Sequence, residues 1–104
     1  MKHSDLKYLA VAAALAAAAL AAQAQGDPRG AYLAANCANC HGTNGLSKND
    51  LPKLAGQPKE TTLKVLREFR DGRRVATIMH QLAKGYSDEQ LALMAEFFAS
   101  QPAR

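Results

Sequence analysis

The feature that most constrains this chain is a pair of cysteines three positions apart, followed at once by a histidine. They occur in the stretch CANCHG, residues 37–42, and Cys37 and Cys40 are the only cysteines among the 104 residues. Two thiols and an imidazole this close together are typical of three structures: a disulfide, a zinc site and a covalently attached haem. The rest of the sequence has to decide among these three.

The first two dozen residues are predicted to be a secretory signal peptide. Lys2 and Lys7 give a positively charged start, residues 9–22 form an apolar run of 14, and Ala22-Gln23-Ala24 offers a small-residue cleavage site. The run is shorter than the ~20 apolar residues that a membrane-spanning helix needs. We therefore expect a signal peptide over residues 1–24 and export to a bacterial periplasm, with an uncleaved membrane anchor as the alternative.

The remaining residues, 25–104, are predicted to form one small domain. A domain of 80 residues has a marginal hydrophobic core and often depends on a metal, a disulfide or a cofactor. It carries 11 Lys and Arg against 8 Asp and Glu, with no long run of like charge. This charge gives no argument for nucleic acid and supports at most a weakly charged docking surface. Five basic residues are candidates for that surface, or for pairing with the propionates of a haem, with ordinary solvated positions as the default: Lys48, Lys53, Arg73, Arg74 and Lys84.

The domain is predicted to be all-α. Helices are expected at residues 28–36, 58–70, 75–85 and 87–100. Asp27 and Pro28 suit the start of the first helix, and Ser87 with Gln90 forms a capping box at the start of the last. Residues 42–56 are rich in Gly, Asn, Ser, Asp and Pro and predict an extended loop. A loop of this length in so small a domain usually has a function.

A covalently attached haem explains the cysteine motif best. Its two thioether bonds require cysteines about one helical turn apart, and the next residue then brings its imidazole to the iron. A thioredoxin-like dithiol expects a βαβ context that the sequence lacks, and a plain disulfide leaves His41 unexplained. A zinc site would have to use Cys37, Cys40, His41 and His80, whose spacing is unusual for a zinc finger. A flat apolar haem would also give the helices a common surface to bury.

The second axial ligand of the iron decides between an electron carrier and a site that binds small molecules. Met79 is the preferred candidate, because it lies 38 residues after His41, far enough to return to the opposite haem face. Met94 falls on the apolar stripe of the last helix, which favours a core position. His80 is expected to face solvent, since successive helical residues point about 100° apart and only one of the pair can face the iron.

The chain resembles the class I cytochromes c. The segments that carry the resemblance are CANCHG, LPKLAGQ at residues 51–57, a methionine, and SDEQLALMAEFFASQ at residues 87–101. The pattern is similar to a single-domain cytochrome c4 or c553, and residues 77–101 are also similar to the haem subunit of flavocytochrome c sulfide dehydrogenase. The resemblance implies a class I fold around one covalent haem c, held by Cys37 and Cys40, with His41 and Met79 as ligands of the iron.

The resemblance also implies a function in periplasmic electron transfer. The chain would accept electrons as the haem subunit of a sulfide-oxidising flavocytochrome c, with an FAD-binding sulfide dehydrogenase subunit as its partner. Whether it is itself part of an enzyme stays open. The alternative is a free soluble c4- or c553-like shuttle to an oxidase or reductase. A haem enzyme or gas sensor with an open distal site, and a thiol-redox or structural domain, are the other classes.

Two features depart from the cytochrome c4 pattern. Proteins of that group usually have two haem domains, whereas this chain has one motif. The loop before Leu51 has Lys48 and Asn49 where a proline is usual. A loop carbonyl normally accepts a hydrogen bond from the proximal imidazole and raises its basicity. We expect that carbonyl between Asn49 and Pro52.

Overall fold

The computed structural model describes residues 2–23 and 26–103, and within those ranges the chain is helical with no strand, as predicted. The α-helices are α1 His3–Gln23, α2 Pro28–Ala34, α3 Ala38–His41, α4 Lys59–Arg70, α5 Met79–Ala83 and α6 Asp88–Ala99. Two single turns of 3₁₀-helix cover Ala35–Cys37 and Thr43–Gly45.

Helix α1 contains the whole apolar run, residues 9–22, that predicts a signal peptide. The side chains of residues 2–20 are all exposed. Among the described helices, none combines the length and the apolar character needed to cross a membrane. The predicted cleavage point after Ala24 lies outside the described residues, so the signal peptide over residues 1–24 stays a prediction.

Helix α6 is the centre of the domain and packs against α2 and α4. Its buried residues recur at the spacing of one helical face. Together with one residue each from α2 and α4 they form the core: Ala34, Leu63, Leu91, Met94, Ala95 and Phe98. The predicted capping box is confirmed, because Ser87 Oγ accepts from the Gln90 N–H at 3.2 Å and Gln90 Oε1 accepts from the Ser87 N–H at 2.9 Å.

Helix α2 lies close to α6 and directs the chain into the cysteine motif. Asp27 caps α2 by accepting from the Arg29 N–H at 2.9 Å. The hydrogen bond from the Arg29 side chain is the main reason why the pKa of Asp27 is lowered. The close approach depends on Gly30, because a Cβ there would lie 2.7 Å from the backbone oxygen of Leu93. The end of α2 is thereby held against the core, immediately before Cys37.

The short helix predicted for residues 75–85 forms only over Met79–Ala83. The N–H groups of Arg73 and Arg74 turn back to the Glu68 carbonyl at 2.9 and 3.3 Å, which closes the end of α4. The next residues include the β-branched Val75, Thr77 and Ile78, which lose side-chain freedom in a helix. The predicted loop 42–56 is also not wholly irregular, since it contains the 3₁₀ turn at Thr43–Gly45.

Candidate haem-binding site

The cysteine motif lies on one continuous helical turn. Cys37 ends the first 3₁₀ turn with helical backbone angles of φ −81° and ψ −18°, and α3 continues through Cys40 to His41. Residues three apart on a helix lie on the same side. The two thiols therefore lie about one turn apart on one side, which is the arrangement that two thioether bonds to one macrocycle require.

The two thiols have different surroundings. Cys37 is half-buried against the core, whereas Cys40 is exposed, and both are free rather than disulfide-bonded. Burial raises the pKa of the Cys37 thiol, and the neighbouring Cys40 raises it further.

His41 is buried at the end of α3 and makes one decisive hydrogen bond. Its Nδ1 lies 2.7 Å from the carbonyl oxygen of Pro52. A carbonyl can only accept, so Nδ1 carries the proton, and in the neutral imidazole Nε2 then keeps its lone pair for a metal. This bond also raises the basicity of the imidazole as a ligand. The carbonyl expected between Asn49 and Pro52 is thus that of Pro52.

The loop that carries Pro52 is closed at its base by backbone hydrogen bonds. The Gly45 carbonyl accepts from the N–H groups of Leu54 at 2.9 Å and Ala55 at 3.2 Å, and the Gly56 N–H donates to the Phe98 carbonyl at 2.8 Å. Gly45 has a φ of +76°, and a Cβ on it would lie 2.9 Å from the Ala55 nitrogen. Glycine therefore fits this position both by its conformation and by its size.

A polar turn inside the loop was not anticipated from the sequence. Ser47, which is only 6% exposed, donates from Oγ to Asn49 Oδ1 at 2.9 Å. The same Oδ1 accepts from the Leu51 N–H at 3.0 Å. An asparagine that bonds the backbone two residues on is an Asx turn. The signal in the sequence was an Asn two positions before Leu51, in the place where the c4 pattern has a proline.

The candidates for the second axial ligand lie on two helices, Met79 and His80 on α5 and Met94 on α6. Met79 is the first residue of α5, which packs against α4, and it is half-buried. Met94 is only 2% exposed in the core on α6, as predicted. His80 was expected to face solvent, and this prediction is wrong. It is half-buried, and its Nδ1 is buried without a hydrogen-bond partner among the described residues.

The five basic residues considered for a docking surface are all exposed. Arg73 pairs with Asp71 at 3.1 Å, and Arg74 pairs with Glu68 at 2.8 Å. The hydrogen bond from Arg73 is the main reason why the pKa of Asp71 is lowered. The charge of both arginines is therefore offset locally.

The comparison with known proteins decides the family. Residues 28–102 match the family model for cytochrome c, which is well over half of the chain. The chain belongs to the cytochrome c family. Its all-α architecture is accordingly the class I cytochrome c fold, and its cofactor is a covalently attached haem c. Its function is electron transfer.

This cytochrome c is similar to individual members of several groups within the family. It is 39% identical over 74 residues to the cytochrome subunit of sulfide dehydrogenase of Chlorobaculum tepidum, an alignment that covers 71% of this chain and 67% of the relative. It is 43% identical over 82 residues to cytochrome c4 of Pseudomonas aeruginosa, covering 77% of this chain and 41% of that protein. It is 33% identical over 100 residues to cytochrome c-553 of Nitratidesulfovibrio vulgaris, covering 90% and 94%.

The residues present in this cytochrome fit a covalent haem. Two free thiols lie one turn apart, and the buried imidazole next to them is held in the tautomer that leaves Nε2 available. The segments that carry Pro52 and Met79 also contain large apolar side chains that the rest of the chain does not cover: Leu51, Val75, Ile78 and Leu82. They provide apolar surface of the kind that a porphyrin buries.

The zinc alternative finds no support in the geometry. Within residues 2–23 and 26–103, no three His, Cys, Asp or Glu side chains come together as a set that could hold a metal ion. Cys37, Cys40, His41 and His80 are therefore not assembled as a tetrahedral site. The cysteine motif fits haem because, of its three residues, only His41 has to reach the iron, while Cys37 and Cys40 form thioether bonds to carbon atoms of the macrocycle.

Proposed function

We propose that this cytochrome c carries single electrons in the periplasm on a haem tethered at Cys37 and Cys40, with His41 and Met79 as the axial ligands. The observation that carries the proposal is the 2.7 Å contact between His41 Nδ1 and the Pro52 carbonyl. The contact explains why a buried imidazole lies next to the two thiols. A thiol-redox domain would not require that imidazole. Met79 is preferred over Met94 because Met94 already belongs to the core.

The haem, when bound, supplies a reversible one-electron couple whose potential a Met/His ligand pair raises. The protein supplies rigidity around it. Pro52 and the surrounding core hold His41 in one orientation, and α5 is held against α4. A thioether sulfur from Met79 would close the second axial position against small molecules. With His41 and Met79 both held by the fold, gain or loss of an electron would move few atoms.

We infer further that the physiological partner is the FAD-binding subunit of a sulfide dehydrogenase. The support is the similarity to a relative that is itself named as the cytochrome subunit of such an enzyme. Redox contacts between proteins are usually small and transient. A subunit of a stable complex would instead stay bound through purification.

Purification from the native host tests the partner. We expect the haem protein to elute together with a flavoprotein at equal amounts of flavin and haem, and to be reduced when sulfide is added. A control with the flavoprotein removed should show no reduction by sulfide. Elution of the haem protein alone, with no flavin in the fraction, would contradict the assignment.

The second candidate is a free electron shuttle. The observation that favours it is the similarity to a cytochrome c-553 over 94% of that protein's length, so that a chain of this size is known as a cytochrome in its own right. The same purification separates the two candidates, because the shuttle would be isolated without flavin and would be reduced only by a separate donor.

Residues 1–24 are proposed to be removed on export. The support is the order of two lysines, an apolar run and a small-residue site in the sequence. Sequencing the amino terminus of the haem-containing protein tests this directly. A start at Gln25 supports export with cleavage, and a start at the first residues of the chain would indicate a retained anchor.

A further inference from the structure

The loop between the cysteine motif and α4 contains a network of polar side chains that has no assigned role in electron transfer. Asn49 lies on the surface, yet its Oδ1 accepts from the Ser47 hydroxyl at 2.9 Å and from the Leu51 N–H at 3.0 Å. The Ser47 hydroxyl is buried beneath it and also lies 3.4 Å from the Asn49 N–H. Asn49 thereby joins a buried hydroxyl to the backbone directly before Pro52.

Pro52 depends on its neighbours for its orientation. Proline has no N–H and cannot anchor itself by donating to the backbone. On its carboxyl side, the Leu54 N–H donates to the Gly45 carbonyl at 2.9 Å. On its amino side, the nearest anchor is the Leu51 N–H on Asn49 Oδ1. The Pro52 carbonyl thus lies between a backbone bond made by Leu54 and a side-chain bond made by Asn49, and both help to fix its direction.

We propose that Asn49 is a positioning residue for the iron ligand His41. It holds the Leu51–Pro52 segment so that the Pro52 carbonyl stays 2.7 Å from His41 Nδ1 and strengthens the imidazole as an electron donor. A stronger donor stabilises the oxidised iron, so this asparagine tunes the reduction potential downward. The inference deepens the proposed function and rests on His41 being an axial ligand.

The test compares Asn49→Ala with the wild-type holoprotein by two measurements. The first is solvent exchange of the His41 Nδ1–H, measured by nuclear magnetic resonance in the reduced protein. We expect exchange to become at least tenfold faster, because the carbonyl no longer holds the proton. The second is the midpoint potential, which we expect to become more positive. A midpoint potential about 59 mV more positive would lower the ratio of oxidised to reduced protein tenfold at a fixed applied potential.

Matched variants separate positioning from a general loss of structure. Asn49→Asp keeps an oxygen that accepts from the Leu51 N–H and should keep the slow exchange of His41 Nδ1–H. Gln57→Ala removes an exposed amide from the end of the same segment and should change neither measurement. Ser47→Ala should change both in the direction of Asn49→Ala but by less, since the Asn49–Leu51 bond remains.

Two results would overturn the inference. One is unchanged Nδ1–H exchange and potential in Asn49→Ala. The other is faster exchange of the core backbone amides of α6 to the same extent as His41, which would mean that Asn49 only stabilises the fold. Failure of the proposed function looks different, because then the wild-type protein itself would show no iron-bound His41 signal.

Discussion

Replacing Met79 by Ala is expected to remove the weak sulfur-to-iron absorption band of the oxidised protein and to lower the reduction potential. A methionine ligand raises the potential of haem iron because the thioether favours the reduced state. Axial ligands set haem potentials over a range of about 0.8 V. We expect loss of this ligand to lower the reduction potential by roughly 0.1 to 0.2 V. Absorption spectroscopy of the oxidised protein and a redox titration measure the two effects.

Two variants serve as controls for the Met79 substitution. Met94→Ala removes the same side chain from the core and should keep the band while lowering thermal stability. His80→Ala removes the neighbouring imidazole and should also keep the band. If the band survives in Met79→Ala and disappears in Met94→Ala, the ligand is Met94 and the proposed axial pair is wrong.

Replacing Leu91 by Ala should cause a large loss of stability. Leu91 is 0% exposed and packs in the cluster formed by α2, α4 and α6. Truncation of a buried leucine costs about 2–5 kcal/mol, through lost burial and the cavity left behind. In a domain of this size that corresponds to a fall in melting temperature of roughly 10–30 °C. Thermal unfolding of the oxidised holoprotein measures it.

Leu93→Ala provides the matched control for Leu91. Leu93 lies on the same helix but is only half-buried, beside a shallow groove between α2 and α6. Its truncation should cost clearly less than that of Leu91. Equal losses of stability in the two variants would contradict the assignment of Leu91, rather than Leu93, to the buried face of α6.

Local patterns in the sequence predict most of the helices and part of the site. The capping box at Ser87 and the start of α2 at Asp27 depend on residues within four positions of one another, so short-range chemistry determines them. The spacing of Cys37, Cys40 and His41 is equally local. The core position of Met94 follows from the apolar stripe of α6, because Leu91, Met94, Ala95 and Phe98 recur at the spacing of one helical face.

The features that could not be predicted depend on distant parts of the chain. The surroundings of His80 are determined by how α5 packs against α4, which its own sequence does not encode. The choice of Pro52 among the carbonyls near His41 depends on the Asx turn at Asn49 and on the closure of the loop at Gly45. The short length of α5 reflects the way the end of α4 bonds back to Glu68.

The most direct test of the account is whether the haem is bound covalently through Cys37 and Cys40. The protein should be produced in a host that can attach haem to cysteines, denatured, and extracted with acidified acetone. We expect the pigment to stay with the wild-type polypeptide and to be extracted from a Cys37→Ala/Cys40→Ala variant. A wild-type protein that releases its pigment, or that is isolated without any, would contradict the central claim.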